Sequence, residues 1–232
     1  MKRLYALVAA VLCLGVAACG LFDKRASYRY RMTAEATVGG RQYSAAVVHH
    51  IQAFATRPLL SEGLAGGAAV HGEALALDLP DGPVFILLRN RARRDLLATA
   101  VTRALEQDKK WEDSFDFVRS VERLAKKSVR AELPREDWPL IIRFEDIDDP
   151  ATAQLVDAAA LGLTRITLET TSAPVSHHLV TRLQWFDTFK GTDFWNADPK
   201  VMSAYEDSRS ASGYRGGLGR DDFVFPWWSQ QD

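Results

Sequence analysis

The densest run of groups able to do chemistry is Glu145-Asp146-Ile147-Asp148-Asp149. Carboxylates this close together could bind calcium, which prefers oxygen ligands, or divide into an acid and a base. A calcium loop, however, runs over about twelve residues, with a glycine at the turn and a closing glutamate. Here Pro150 follows at once. A strand end, a turn and a helix capped by Asp149 explain the same residues, because proline suits the first helical position and the positive helix end favours aspartate. Asp146, Asp148 and Asp149 are thus a candidate metal or acid–base cluster with a structural reading beside it.

The five histidines give a weaker signal. His49 and His50 are adjacent on a segment that reads as strand, so they point to opposite faces and cannot share a metal. His49 falls near Tyr30 on the core face and His50 near Arg29 or Arg31 on the other. His71 and the pair His177-His178 have no partner at metal spacing, and HExxH and HxH are both absent. No metal site and no cofactor is expected, since G-x-S-x-G, S-x-x-K and a phosphate-cradling glycine loop are also missing. Lys109-Lys110 and Lys126-Lys127 read as solvated helix faces, or as contacts to anionic lipid. Phe223, Phe225, Trp227 and Trp228 crowd the tail. Either these rings fold back onto the core, or they form an exposed patch that docks a partner or the membrane interface.

The remaining reactive group is a thiol. Met1-Lys2-Arg3 is followed by an uncharged, largely apolar run over residues 4–18, ending Val16-Ala17-Ala18-Cys19. At about 15 residues this run is short for a membrane-spanning helix, which needs ~20. It has the layout of an export signal with small residues at the cleavage point. Val16, Ala17, Ala18 and Cys19 resemble the lipobox of bacterial lipoproteins, which implies cleavage between Ala18 and Cys19 and lipid (palmitate among it) on Cys19. Cys13 is a poorer acceptor because bulky Leu12 precedes it. Gly20, where inner-membrane retention would call for aspartate, points to the outer membrane, facing the periplasm.

Removal of residues 1–18 leaves 214 of 232 residues, enough for one domain or two. Losing Lys2 and Arg3 leaves 27 basic against 30 acidic residues, a net charge of −3. Neither the charge nor export favours a nucleic-acid partner. Cys13 leaves with the signal, so the exported domain has no disulfide and no free thiol once Cys19 carries lipid.

The elements that must position these groups follow from periodicity. Tyr28, Tyr30, Met32, Ala34, Ala36 and Val38 alternate with polar residues, the period-two mark of a strand with one buried face. Gly39-Gly40 suits a two-residue hairpin, which would put Val38 opposite Arg41, Ala36 opposite Tyr43, Met32 opposite Val47 and Tyr30 opposite His49. A third strand is expected over 69–79. A fourth over 84–88 is apolar throughout, so both its faces should be covered. Apolar spacing predicts helices over 95–107 and 111–129. Further expectations are a strand over 139–145, a short helix over 149–160, a strand over 163–171 and one more over 176–185. The fold class is α+β: an antiparallel sheet of five to seven strands, two main helices on one face, and an irregular aromatic and glycine-rich tail. The divisions are a signal (1–18), a lipidated tether (19–27), a globular domain (28–186) and a C-terminal extension (187–232).

Three stretches also resemble a group of uncharacterised proteobacterial exported or lipid-anchored proteins. They are Tyr28-Arg29-Tyr30-Arg31-Met32-Thr33, then Gly72-Glu73-Ala74-Leu75-Ala76-Leu77-Asp78-Leu79, then Phe144-Glu145-Asp146-Ile147-Asp148-Asp149-Pro150 with Thr164-Arg165-Ile166-Thr167-Leu168-Glu169. The resemblance reaches to about Trp185. It implies a common fold and carries no catalytic residue across. The expectation is a lipid-anchored envelope protein, held at the membrane by its lipid, that serves as a non-catalytic binding or assembly module for an envelope protein partner. The alternatives are a lipid-anchored hydrolase or metal-dependent enzyme using the Asp146, Asp148 and Asp149 cluster, and a carrier for a small ligand.

Overall fold

The structure, a computed structural model, describes residues 24–56, 66–90, 94–107, 109–186 and 223–225. The class is α+β, built on two antiparallel sheets. Strand β1 (Lys24–Val38) and β2 (Arg41–Ala55) form a long hairpin. Its turn is Gly39 and Gly40, whose φ angles of 56° and 77° are open to glycine without strain. Val38 faces Arg41, Ala36 faces Tyr43, Met32 faces Val47 and Tyr30 faces His49, the register expected from a two-residue loop. The strand begins at Lys24 and not at Tyr28, because β2 supplies partners as far as Ala55.

The first sheet has the order β10-β3-β2-β1-β9-β6. Its further members are β3 (Gly66–Glu73), β6 (Arg130–Glu132), β9 (Leu163–Thr170) and β10 (Val224–Phe225). In β9 the buried apolar residues are Leu163, Ile166 and Leu168, a spacing that breaks strict alternation. A bulge restores it, since Ala36 pairs with Leu163 while Glu35 pairs with Arg165. The extra residue lets both ends of the strand face inward.

The segment expected as one strand over 69–79 is two strands in two sheets. Gly72 has φ +138°, outside the range a side chain tolerates well, and β3 parts from β2 there, Gly72 and Glu73 pairing with β10 alone. After Ala74, β4 (Leu75–Leu79) enters the second sheet, whose order is β4-β5-β7-β8. Its other strands are β5 (Gly82–Asn90), β7 (Pro139–Phe144) and β8 (Ala153–Leu155). Val84, Ile86 and Leu88 of β5 enter the main core with Tyr30, Met32 and Ile51. Phe85 and Leu87 enter a second core on the opposite side. The unbroken apolar run is therefore a wall shared by two cores. Helices α1 (Arg94–Leu105) and α2 (Ser114–Leu124) close the main core, α2 over β1 and β2 and α1 over β3 and β5. The Tyr28 hydroxyl donates to Thr102 Oγ1 at 3.0 Å, because Thr102 spends its own proton on the Ala98 carbonyl.

Three local expectations are corrected. Helix α2 is shorter than 111–129, because Asp113 accepts from the Asp116 N–H and starts it. Trp111 instead donates from Nε1 to Ser120 Oγ at 2.7 Å and packs edge-on against Phe117. The helix expected over 149–160 is a 3₁₀ turn (Pro150–Thr152) followed by β8, whose pairing with β7 outweighs local helix preference. The segment 176–185 is not a strand but enters a one-turn helix, α3 (Leu179–Arg182). Among the described residues no helix is long and apolar enough to cross a membrane.

Candidate functional site

The β1–β2 hairpin has two faces, and consecutive histidines divide between them. His49 is fully buried on the inner face. Its Nε2 lies 2.7 Å from the Glu73 carbonyl, an acceptor, so Nε2 carries the proton. Nδ1, 3.0 Å from the Tyr30 hydroxyl, therefore accepts the tyrosine proton. Burial lowers the His49 pKa from 6.5 to about 4, the bond to Glu73 opposing that shift only in part. This is a neutral structural histidine that ties β2 to the end of β3. Glu73 is buried too. Its carboxylate Oε2 accepts the N–H groups of His178 and Leu179, each at 2.6 Å. His178 makes no cap of its own, so Glu73 supplies the N-terminal cap of α3 from another strand.

On the outer face the pairings carry one row across three strands and on to the segment after β9. His71 faces His50, and His50 faces Arg29. The Arg29 carbonyl accepts from Thr171 N–H at 2.9 Å, just past the end of β9. The His50 and His71 ring centroids lie 6.1 Å apart. Beyond His71 the third strand has turned away, and the segment after Thr171 takes its place along β2. Ser176 N–H donates to the Val48 carbonyl at 3.1 Å, and Ser176 Oγ accepts from Val48 N–H at 3.0 Å. The glycine that releases β3 thus opens the edge on which this strap docks.

Between the strap, the outer-face row and the turn after α2 lies a cleft of about 1040 Å³. Its charged lining is Arg29, Lys126 and Lys127, with His50 and His177 beside them and no carboxylate among the lining residues. Ser27, Gln52, Ser128, Thr171 and Ser172 add polar groups and Pro174 and Val175 an apolar edge, while Tyr28 and Leu124 border the cleft with side chains buried in the main core. Burial, then His71 and Arg29, hold the His50 pKa down at about 4. Lys126 Nζ sits 3.0 Å from Glu122, which also meets Lys24 at 2.9 Å. No carboxylate among the described residues lies within ion-pair distance of Arg29 or Lys127. The arrangement can accept an anion and offer it hydrogen-bond donors.

The acidic cluster serves a different purpose. Asp146, Asp148 and Asp149 are exposed. Asp146 Oδ1 accepts from Asp148 N–H at 3.0 Å, and the Thr152 hydroxyl accepts from Asp146 N–H at 3.0 Å while lying 2.7 Å from the Asp149 carbonyl. These bonds shape the turn between β7 and β8. Among the described residues no group of three or more His, Cys, Asp or Glu is placed to hold a metal ion.

In the aromatic tail, Phe223 is fully buried in the second core beside Phe85, Phe144 and Phe186. Its carbonyl accepts from Ala74 N–H at 2.6 Å. The docking reading is therefore corrected for Phe223, whose ring is spent on packing. The Phe225 backbone pairs with Gly72. Trp227, Trp228, Ala18 and Cys19 lie outside the described residues.

Arg29 beside His50 was readable from the hairpin register. The strap residues and His71 were not, because the β2–β3 pairing is set across a long connection and the strap has no period. A scan of protein-family models, a search of curated proteins and a search of solved structures each found no match to this chain.

Proposed function

We propose that this chain is a lipid-anchored cell-envelope protein, attached through Cys19, that works as a non-catalytic binding or assembly module close to its membrane. The observation that carries the binding role is the donor-lined cleft on the outer sheet face, whose charged lining is entirely cationic. The anchor rests on Val16-Ala17-Ala18-Cys19, and Gly20 favours the outer membrane. A further observation favours closeness. Strand β1 starts at Lys24, so only residues 20–23 lie between it and Cys19. Five extended steps reach at most about 18 Å. The cleft is lined by Ser27, Tyr28 and Arg29, three to five residues along the same strand, so its mouth is held near the bilayer surface.

Labelling with a palmitate analogue, followed by membrane fractionation, tests the anchor. Full-length protein should take up label and sediment with outer membranes, and Cys19→Ser should do neither. Label retained by Cys19→Ser would remove the anchor. Turnover of an envelope substrate by the purified mature protein would remove the non-catalytic role.

A further inference from the structure

The cleft's charge balance narrows what it holds. Arg29 and Lys127 bring two positive charges that no described carboxylate neutralises, while Lys126 is shared with Glu122. A helix C-terminus attracts cations, which accounts for a lysine in the turn after α2. It does not account for Arg29, which belongs to the sheet on another wall of the cleft. Cations gathered without counter-charge repel one another, and an anion relieves that repulsion. A single carboxylate would leave one charge unmatched. A phosphate monoester carries about −1.5 to −2 near neutral pH and offers three acceptor oxygens.

The donors fit the same group. Guanidinium presents a planar fork to phosphate oxygens, and ammonium adds a point charge. Thr171 Oγ1 accepts from Ala173 N–H at 3.1 Å, which leaves its own proton to donate. Thr170, by contrast, spends its hydroxyl on the Lys127 carbonyl at 2.6 Å and thereby fixes the turn that carries the lysine. The volume exceeds that of a phosphate alone and lies at the upper end of small-molecule sites. The ligand therefore has an organic body, for which Pro174 and Val175 of the strap give an apolar wall.

We propose that this cleft binds a phosphate ester, with Arg29 and Lys127 holding the phosphate and the apolar wall holding the remainder. The inference names a ligand class for the binding role proposed above, and it rests on that reading. Two sources offer this chemistry, the headgroup of an anionic lipid and a soluble phosphate ester.

The test is calorimetric titration of the full mature chain, solubilised in a neutral detergent. The probes are short-chain phosphatidic acid, glycerol 3-phosphate and succinate. Saturable binding of a phosphate ester is expected, at least tenfold tighter than succinate. Arg29→Gln and Lys127→Gln should each weaken it about tenfold or more, with unchanged melting temperature, whereas Lys109→Gln should leave it unaltered. Binding of phosphatidic acid well above glycerol 3-phosphate assigns the lipid source, and equal binding assigns the soluble one. Failure of both phosphate esters, or binding indifferent to Arg29→Gln and Lys127→Gln, overturns the proposal. Succinate binding that depends on Arg29 overturns the phosphate assignment alone and leaves the cleft as a binding site.

Discussion

His49 and His50 are neighbours in the chain and opposites in the fold. Both are held neutral by burial, yet one closes a hydrogen-bonded network inside the protein and the other faces a cationic cleft. The pleat alone separates them. Identical side chains one residue apart thus acquire a structural role and, on the proposal above, a place beside the binding site. The inner face commits its polar groups to internal partners, Tyr30 and Glu73 for His49 and Thr102 for Tyr28. The cleft on the outer face keeps Arg29 of the sheet and Lys127 of the turn after α2 outside any ion pair with the described residues.

The contrast is sharpest in stability. His49→Leu strips the partners from a buried tyrosine hydroxyl and from the Glu73 carbonyl, so it should cost about 3–5 kcal/mol in urea unfolding. His50→Leu, on the half-exposed side, should cost under about 1 kcal/mol. Equal losses would break the distinction between the faces.

Acid should act through both histidines, and most through His49, the wholly buried one. The unfolded chain protonates His49 near pH 6.5, while the folded chain resists until about pH 4. Its contribution is therefore fully present above pH 6.5 and is lost as the pH falls toward 4, by about 3 kcal/mol at most. Unfolding curves at pH 7, 6, 5 and 4 should show this decline; His49→Gln and His50→Gln should each flatten it, His50→Gln less because solvent screens its part-exposed ring.

Gly72 is the hinge between the two regions. A Cβ there would lie 2.7 Å from His49 Cδ2, at a φ of +138°. Gly72→Ala should cost about 2–4 kcal/mol and disturb the strap docking together with the inner network. An effect under about 1 kcal/mol would mean that the divergence of β3 does not depend on this residue.

The legible part of the fold was the part fixed by local spacing. Gly39-Gly40 set the hairpin register, and the run 84–88 announced a strand covered on both sides. The breaks at Gly72 and Ala74 escaped because Ala69–Leu79 holds no proline, and its two charges, Glu73 and Asp78, do not mark where the chain changes sheet, so only tertiary pairing divides it. Strands β6 and β8 are three residues each, too short for a period. The acidic cluster drew attention by density, but within its own turn Asp146 Oδ1 accepts from Asp148 N–H and the Asp149 carbonyl accepts from the Thr152 hydroxyl. The cleft was half legible: Arg29 and His50 follow from register, while Thr171, Ser172 and His177 arrive on a strap with no sequence signature.

The smallest effect is expected at that turn. Asp146→Ala removes one bond to Asp148 N–H on an exposed loop, and should shift stability by under about 1 kcal/mol, with calcium or a chelator leaving the melting temperature unchanged. Stabilisation by calcium that Asp146→Ala abolishes would restore the metal reading.

The central claim is that the two faces of one hairpin divide structure from binding. Proton NMR of the His49 and His50 ring signals across pH, with and without glycerol 3-phosphate, tests it most directly. A bound phosphate ester, which keeps at least one negative charge where His50 titrates, stabilises the protonated ring nearest to it. The titration of His50 should move to higher pH on adding the ester, while that of His49 stays in place. Movement of His49 with His50, or a His50 curve that ignores the ester at saturating concentration, would contradict the account.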